Sequence, residues 1–210
     1  MNLRPTEPYT SWTHRMARWC VRPLVGTSIE PNQLTTGRFL TGLMACIAFA
    51  WGGADGNLLG GILWLLSAFL DRADGELARL SGKTSATGHY YDYVTDVAVN
   101  SLFFLAIGVG LRDSILGWPA AFMGLVAGSA VAYASILCER YEKDQGGGAK
   151  AYSGVAGFDF DDVLYLFAPV AWLGWLLPIL IGASVGAPAF ALWTWGRFRA
   201  ELANEPSGQA

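Results

Sequence analysis

The sequence predicts an all-α integral membrane protein: six transmembrane helices preceded by an amphipathic helix lying on the cytoplasmic membrane surface. Three observations point there. Of the 210 residues 53% are hydrophobic and the mean hydropathy is +0.34, too apolar and too short for an ordinary soluble two-domain protein. Apolar runs that approach or cover about 30 Å of hydrocarbon recur along the chain. With the N-terminus cytoplasmic and six spans, every lysine and arginine except Arg112 falls on the cytoplasmic side, and an odd span count would scatter them.

Residues 1–30 read as a cytoplasmic segment carrying the surface helix over 10–24. Trp12, Met16, Trp19 and Cys20 recur at helical spacing with Arg15, Arg18 and Arg22 opposite, the pattern of a helix seated on anionic lipid. A membrane domain over 31–197 follows, with spans at 32–52, 58–80, 88–111, 117–140, 160–177 and 178–196. Pro31 opens the first span at a position where its missing N–H costs little, within Pro31-Asn32-Gln33-Leu34-Thr35. The loops 53–57 and 112–116 are short and face outward. The boundary between the last two spans is drawn at Leu177 because Pro178 follows it; a single re-entrant hairpin is the other reading. The glycine-rich inward loop at 141–159 is either a plain connector or a cover for a cytoplasmic site. Residues 198–210 form a cytoplasmic tail, and no internal repeat is visible.

Other features bound the function. The net charge of −3 does not argue for nucleic acid, since most acids sit in two clusters. Cys20, Cys46 and Cys138 are odd in number and far apart, so neither a disulfide framework nor a zinc knuckle is expected. No cleavable signal peptide is expected, because residues 1–31 are polar and tryptophan-bearing; insertion would use the first span.

Four carboxylates carry the chemistry. Asp71, Asp74, Gly75 and Ala78 fall at i, i+3, i+4 and i+7, while Gly88, Asp92, Asp96 and Asn100 recur every four residues, so two helices each present a polar stripe. Stripes that face each other bring like charges together, which requires protons or cations. All-oxygen donors suit Mg²⁺, Mn²⁺ or Ca²⁺, and a pair of ions accounts for four carboxylates. Acids that merely mark the water interface are the plain alternative. Charge inside a span is costly, however, and interleaved Gly75, Ala78 and Gly88 strip away side chains where a planar ligand would approach.

The string Asp71-x2-Asp74-Gly75-x2-Ala78-Arg79-x8-Gly88-x3-Asp92-x3-Asp96 resembles the signature of the CDP-alcohol phosphotransferases (CDP-alcohol phosphatidyltransferases) without a departure. The span count, the surface helix and the Pro-Asn-x-x-Thr start are similar to that family too. The resemblance implies transfer of a phosphoalcohol group, phosphatidyl above all, from a CDP-linked donor to an acceptor hydroxyl with release of CMP, in phospholipid or related phosphodiester synthesis. It implies Mg²⁺ or Mn²⁺, two ions, held by Asp71, Asp74, Asp92 and Asp96, with Asp96 alternatively taking the acceptor proton. Gly75, Ala78 and Gly88 would make room for the cytidine, and Arg79 would pair with the diphosphate or brace the aspartates. It also implies a homodimer. The small size resembles bacterial-type inner-membrane synthases that use a lipid-bearing donor with a polyol phosphate, of glycerol phosphate or inositol phosphate type; a soluble donor with a lipid acceptor stays open.

Neighbouring residues divide between two readings each. His89 either touches a phosphate or is simply solvated, and Arg140 and Lys143 either bind an anionic acceptor or anchor the helix on the cytoplasmic side. Asp159, Asp161 and Asp162 either meet acceptor hydroxyls or favour a helix N-terminus. Ser81-Gly82-Lys83-Thr84-Ser85 is half of a phosphate-binding loop only, since Leu77 stands where its first glycine belongs. Two other functions compete: an aspartate-rich prenyltransferase, which lacks Gly-x-x-Ala-Arg, and a cation transporter, which places its carboxylates near mid-membrane.

Overall fold

The computed structural model describes residues 11–144 and 160–203. Arg4, Lys150, Asp159, most of the glycine-rich stretch and residues 204–210 lie outside the described residues. Helix α1 (Trp12–Val21) runs into a 3₁₀ turn at Arg22–Leu24. The long helices are α2 (Pro31–Trp51), α3 (Gly53–Ser81), α4 (Ala86–Gly110), α5 (Pro119–Asp144) and α7 (Leu176–Ala203), with the short α6 (Phe167–Trp172) between the last two. Those five are long and apolar enough to cross a membrane, by length and composition.

Two expectations about the elements are corrected. The predicted span 160–177 is a 3₁₀ stretch, Phe160–Leu166, continuing into α6, and the break falls at Gly174, whose φ of +74° only glycine adopts readily. Pro178 lies inside the first turn of α7, where the backbone N–H has no helical partner anyway. The segment runs back along α3: Asp162 lies near Arg72, the Tyr165 hydroxyl donates to the Ala68 carbonyl at 2.9 Å, and the Trp172 indole donates to the Leu58 carbonyl at 3.3 Å. The expected loop 53–57 is helical instead. Gly52 (φ +83°) and Gly53 (φ +70°) reverse the chain in two residues, and α3 starts at once with Asp55 in its first turn.

Start and stop signals fix the other ends. Glu30 and Gln33 form a capping box before α2, with Pro31 at its first position. Gly82, at φ +68°, ends α3, and the Ser85 side chain then caps α4 by accepting from the Gly88 N–H at 3.0 Å. Ser81–Ser85 is therefore a helix-turn-helix corner.

Helix α2 packs against α3 and α4, α4 against α5, and α5 against α7, while α1 and α6 lie on α3. Close approach depends on glycine: a Cβ at Gly108 would sit 2.5 Å from the Ala120 carbonyl, and one at Gly124 would run into the Phe104 carbonyl. Phe49, Trp64, Phe103, Phe104 and Phe167 join four helices into an aromatic core, Trp64 and Phe103 with ring centres 4.4 Å apart. The start of α2, the end of α3 and the start of α4 meet at one end of this bundle, and Arg112, donating to the Ala50 carbonyl at 2.9 Å, marks the other.

Candidate active site

The turn at 82–85 folds α4 back beside α3, so the two acidic stripes face each other. Carboxylate oxygens of Asp71, Asp74 and Asp92 come within 4.8 Å of one another, the group among the described residues able to hold a metal ion. Asp96 stands one turn further along α4, outside that trio. Its nearest company is Arg38, whose guanidinium makes a short ion pair with it, and the Asn100 amide, which donates to it at 3.4 Å.

Arg38 of α2 organises the cluster. Its side chain is 3% exposed, and one nitrogen lies 3.0 Å from both Asp71 and Asp92 while the other serves Asp96. A buried guanidinium needs several acceptors to offset its desolvation, and three carboxylates provide them. Thr35, one turn earlier on the same helix, donates its hydroxyl to buried Asp74 at 2.7 Å. Sequence reading counted Arg38 only as a flanking charge and Thr35 only as part of a helix start. An arginine eight residues into a span was the available signal, because a charge there requires a partner.

Next to the carboxylates is a cavity of about 180 Å³. Of the expected nucleotide residues, Gly75, Ala78, Arg79 and Gly88 all line it, as do His89, Asp74 and Asp92, with Asn32 and Lys83. A Cβ at Gly88 would stand 3.0 Å from the Ser85 hydroxyl and 3.1 Å from the Asn32 amide oxygen. Arg79 does not brace the aspartates: its guanidinium bonds Glu76 at 2.6 Å and is more than half exposed. Lys143 does not line the cavity and reaches it only through Glu139, which it meets at 2.9 Å and which His89 approaches at 3.4 Å. Arg140 is exposed on α5, also outside the lining.

Helix α1 adjoins the same site. Its tryptophans are exposed as expected, Trp19 at 73%, but a third face, Thr13, Ala17 and Val21, is buried against the bundle. Arg18, expected opposite the tryptophans, turns inward to Glu76 at 2.7 Å, and that hydrogen bond raises it above the ordinary arginine range. Thr13 donates to Asp162 at 2.7 Å, and Asp162 in turn lies 3.5 Å from Arg72. Asp162 thus serves as an anchor for α1.

The family model of CDP-alcohol phosphatidyltransferases matches residues 28–193, most of the chain and all of the carboxylate cluster. The chain belongs to the CDP-alcohol phosphatidyltransferase family. Among curated relatives it is similar to an archaetidylinositol phosphate synthase of Pyrococcus horikoshii, 32% identical over 118 residues, which are 56% of this chain and 60% of that protein. It is also similar to a bifunctional IPC transferase and DIPP synthase of Aquifex aeolicus, 33% identical over 122 residues, 58% of this chain and 27% of that protein. The matched region thus covers less than two thirds of either relative. Membership in the CDP-alcohol phosphatidyltransferase family accords with the helical architecture of the described residues, which carry five helices of membrane-crossing length and an aspartate cluster at one end of the bundle.

Proposed function

We propose that this CDP-alcohol phosphatidyltransferase family member transfers a phosphatidyl-type phosphoalcohol group from a CDP-linked lipid to the hydroxyl of a small polyol phosphate and releases CMP. The observation that carries the reading is the Asp71, Asp74 and Asp92 trio, two of whose members, Asp74 and Asp92, line a cavity together with Gly75, Ala78, Arg79 and Gly88. The acceptor class is supported by the name of the archaetidylinositol phosphate synthase, which points to inositol phosphate. The site would lie at the cytoplasmic face of a bacterial-type inner membrane, with both termini on that side and the exposed Trp12, Met16 and Trp19 of α1 in the lipid interface. A homodimer belongs to the same proposal.

The donor set fits a divalent cation. Hard carboxylate oxygens converge, and Arg38, with Arg72 at 4.0 Å from Asp71, still leaves the four aspartates with excess negative charge. Asp71, Asp74 and Asp92 would hold Mg²⁺ or Mn²⁺, which leaves Asp96 free of the metal for a proton-transfer role. Such an ion, when bound, neutralises diphosphate charge and the charge that grows on departing CMP. The chain's own residues do the rest. Gly75, Ala78 and Gly88 leave a flat face for the cytidine, and Arg79 pairs with the diphosphate. Asp96 takes the proton from the acceptor hydroxyl as its oxygen bonds to phosphorus and the bond from phosphorus to the CMP oxygen breaks. His89, linked through Glu139 to Lys143, would hydrogen-bond the acceptor phosphate, and Lys143 and Arg140 of α5 would supply positive charge for it.

The test is CMP release by the purified protein in liposomes, with Mg²⁺ or Mn²⁺ and a panel of CDP-linked lipids and soluble CDP-alcohols against glycerol phosphate, inositol phosphate and lipid acceptors. CMP formed with a lipid donor and a polyol phosphate is expected. Absence of CMP across the panel from well-folded protein overturns the reading, and cation flux without CMP would favour a transporter.

A further inference from the structure

Glu76 has no part in the scheme above, yet it is among the most deeply buried side chains, 1% exposed. Three basic side chains surround it: His14 at 3.0 Å and Arg18 at 2.7 Å from α1, and Arg79 at 2.6 Å from its own helix. Of the three, only Arg79 lines the cavity, and Glu76 itself does not. Arg79 is otherwise a long, exposed side chain whose ordering on a ligand costs up to about 2 kcal/mol of rotamer entropy. A carboxylate fixed from two sides by α1 removes much of that freedom before the ligand arrives. Anchoring α1 does not by itself require Glu76, since Thr13 bonds Asp162 and Ala17 and Val21 are fully buried.

We propose that Glu76 is a positioning residue: held by His14 and Arg18 of α1, it aims the Arg79 guanidinium at the nucleotide diphosphate. The inference rests on the transferase reading and deepens it, making α1 a working part of the site as well as a membrane contact. Glu76 acts through Arg79, so its loss weakens donor binding and leaves the chemical step intact.

The experiment compares wild type, Glu76→Gln, Glu76→Asp, Arg79→Gln and the Glu76→Gln/Arg79→Gln double variant in liposomes. Readouts are KM for the CDP-linked donor, kcat for CMP release and the thermal midpoint. Glu76→Gln is expected to raise KM roughly tenfold with kcat within about threefold, Glu76→Asp to recover part of it, and the double variant to be no worse than Arg79→Gln. A wild-type KM in Glu76→Gln, or losses that multiply in the double variant, overturns the proposal. An unchanged KM in Arg79→Gln beside an active wild type overturns it too while sparing the transferase reading; a wild type that releases no CMP overturns both. Should Glu76→Gln fail to fold, Arg18→Gln takes its place, with the same rise in KM expected and an unchanged KM overturning the proposal.

Discussion

The Arg38 guanidinium stands 3.0 Å from the Asp71 carboxylate, and through this contact α2 enters a site otherwise built from α3 and α4. Carboxylates this close take up protons or pair with a cation. Part of that cation is covalently supplied by the chain, so the cluster can assemble during folding without waiting for metal. Removal of Arg38 should therefore act on stability first. Arg38→Met is expected to lose about 2–3 kcal/mol, below the 3–5 kcal/mol typical of breaking a fully buried pair because Asp92 and Asp96 are each about a third exposed. Millimolar Mg²⁺ should restore part of the loss. Thermal midpoints in EDTA and in Mg²⁺ check this, and a variant as stable as wild type in EDTA would contradict the counter-ion role.

Asp96 and Asp71 should separate by readout. Asp96 stands outside the trio of possible metal ligands, paired with Arg38, whereas Asp71 belongs to it. Asp96→Asn is expected to lower kcat for CMP release by about 10²-fold or more, as loss of a general base does, while Mg²⁺ still raises the melting temperature. Asp71→Asn should abolish both activity and the Mg²⁺-dependent stabilisation. Equal loss of stabilisation in the two variants would place Asp96 among the ligands.

Much of this site was legible in the chain because helical spacing and a two-helix hairpin leave little freedom: Asp71, Asp74 and Asp92 had to converge once Gly82 and Ser85 turned the chain. Gly75, Ala78 and Gly88 reached the cavity for the same reason. What spacing could not disclose was the third partner. Arg38 and Thr35 come from a helix more than thirty residues away, and only packing shows that they face the stripes. The buried face of α1 was missed because two of its three residues, Thr13 and Ala17, are small or polar and carry little hydropathy signal, leaving Val21 as the one apolar marker. The predicted fifth span failed in its type of helix, since 3₁₀ rise covers more length per residue and leaves no 3.6-residue periodicity to read.

Thr35→Val keeps the shape of the side chain and removes the hydroxyl that donates to Asp74 at 2.7 Å. A hydrogen bond to a charged acceptor contributes about 1.5–3 kcal/mol, and Asp74 is buried, so the carboxylate is left without this donor. The expected result is a Mg²⁺ requirement for CMP release raised about tenfold, as for loss of a partner that orients a metal ligand, with Thr35→Ser near wild type. Titration of activity against Mg²⁺ measures it; an unaltered requirement would mean that Thr35 serves the helix alone.

Two glycine substitutions should fail in opposite ways. A Cβ at Gly88 would meet the Ser85 hydroxyl at 3.0 Å and the Asn32 amide oxygen at 3.1 Å, side-chain atoms at the mouth of the cavity that can yield by a few tenths of an ångström. Gly88→Ala is therefore expected to change the melting temperature little and to raise KM for the CDP donor about tenfold by filling the space a planar base would use. A Cβ at Gly124 would strike the Phe104 carbonyl, which belongs to helix α4 and cannot yield without shifting the helix. Gly124→Ala should cost about 1–3 kcal/mol through that displacement, despite alanine's better helix propensity, and leave the KM of the folded fraction unchanged. Gly182→Ala, with nothing within 4 Å of the added carbon, is the control and should be neutral or slightly stabilising. Paired measurement of melting temperature and donor KM decides the matter: a Gly88→Ala variant that melts early with normal KM would show that the glycine is there for packing and that the cytidine binds elsewhere.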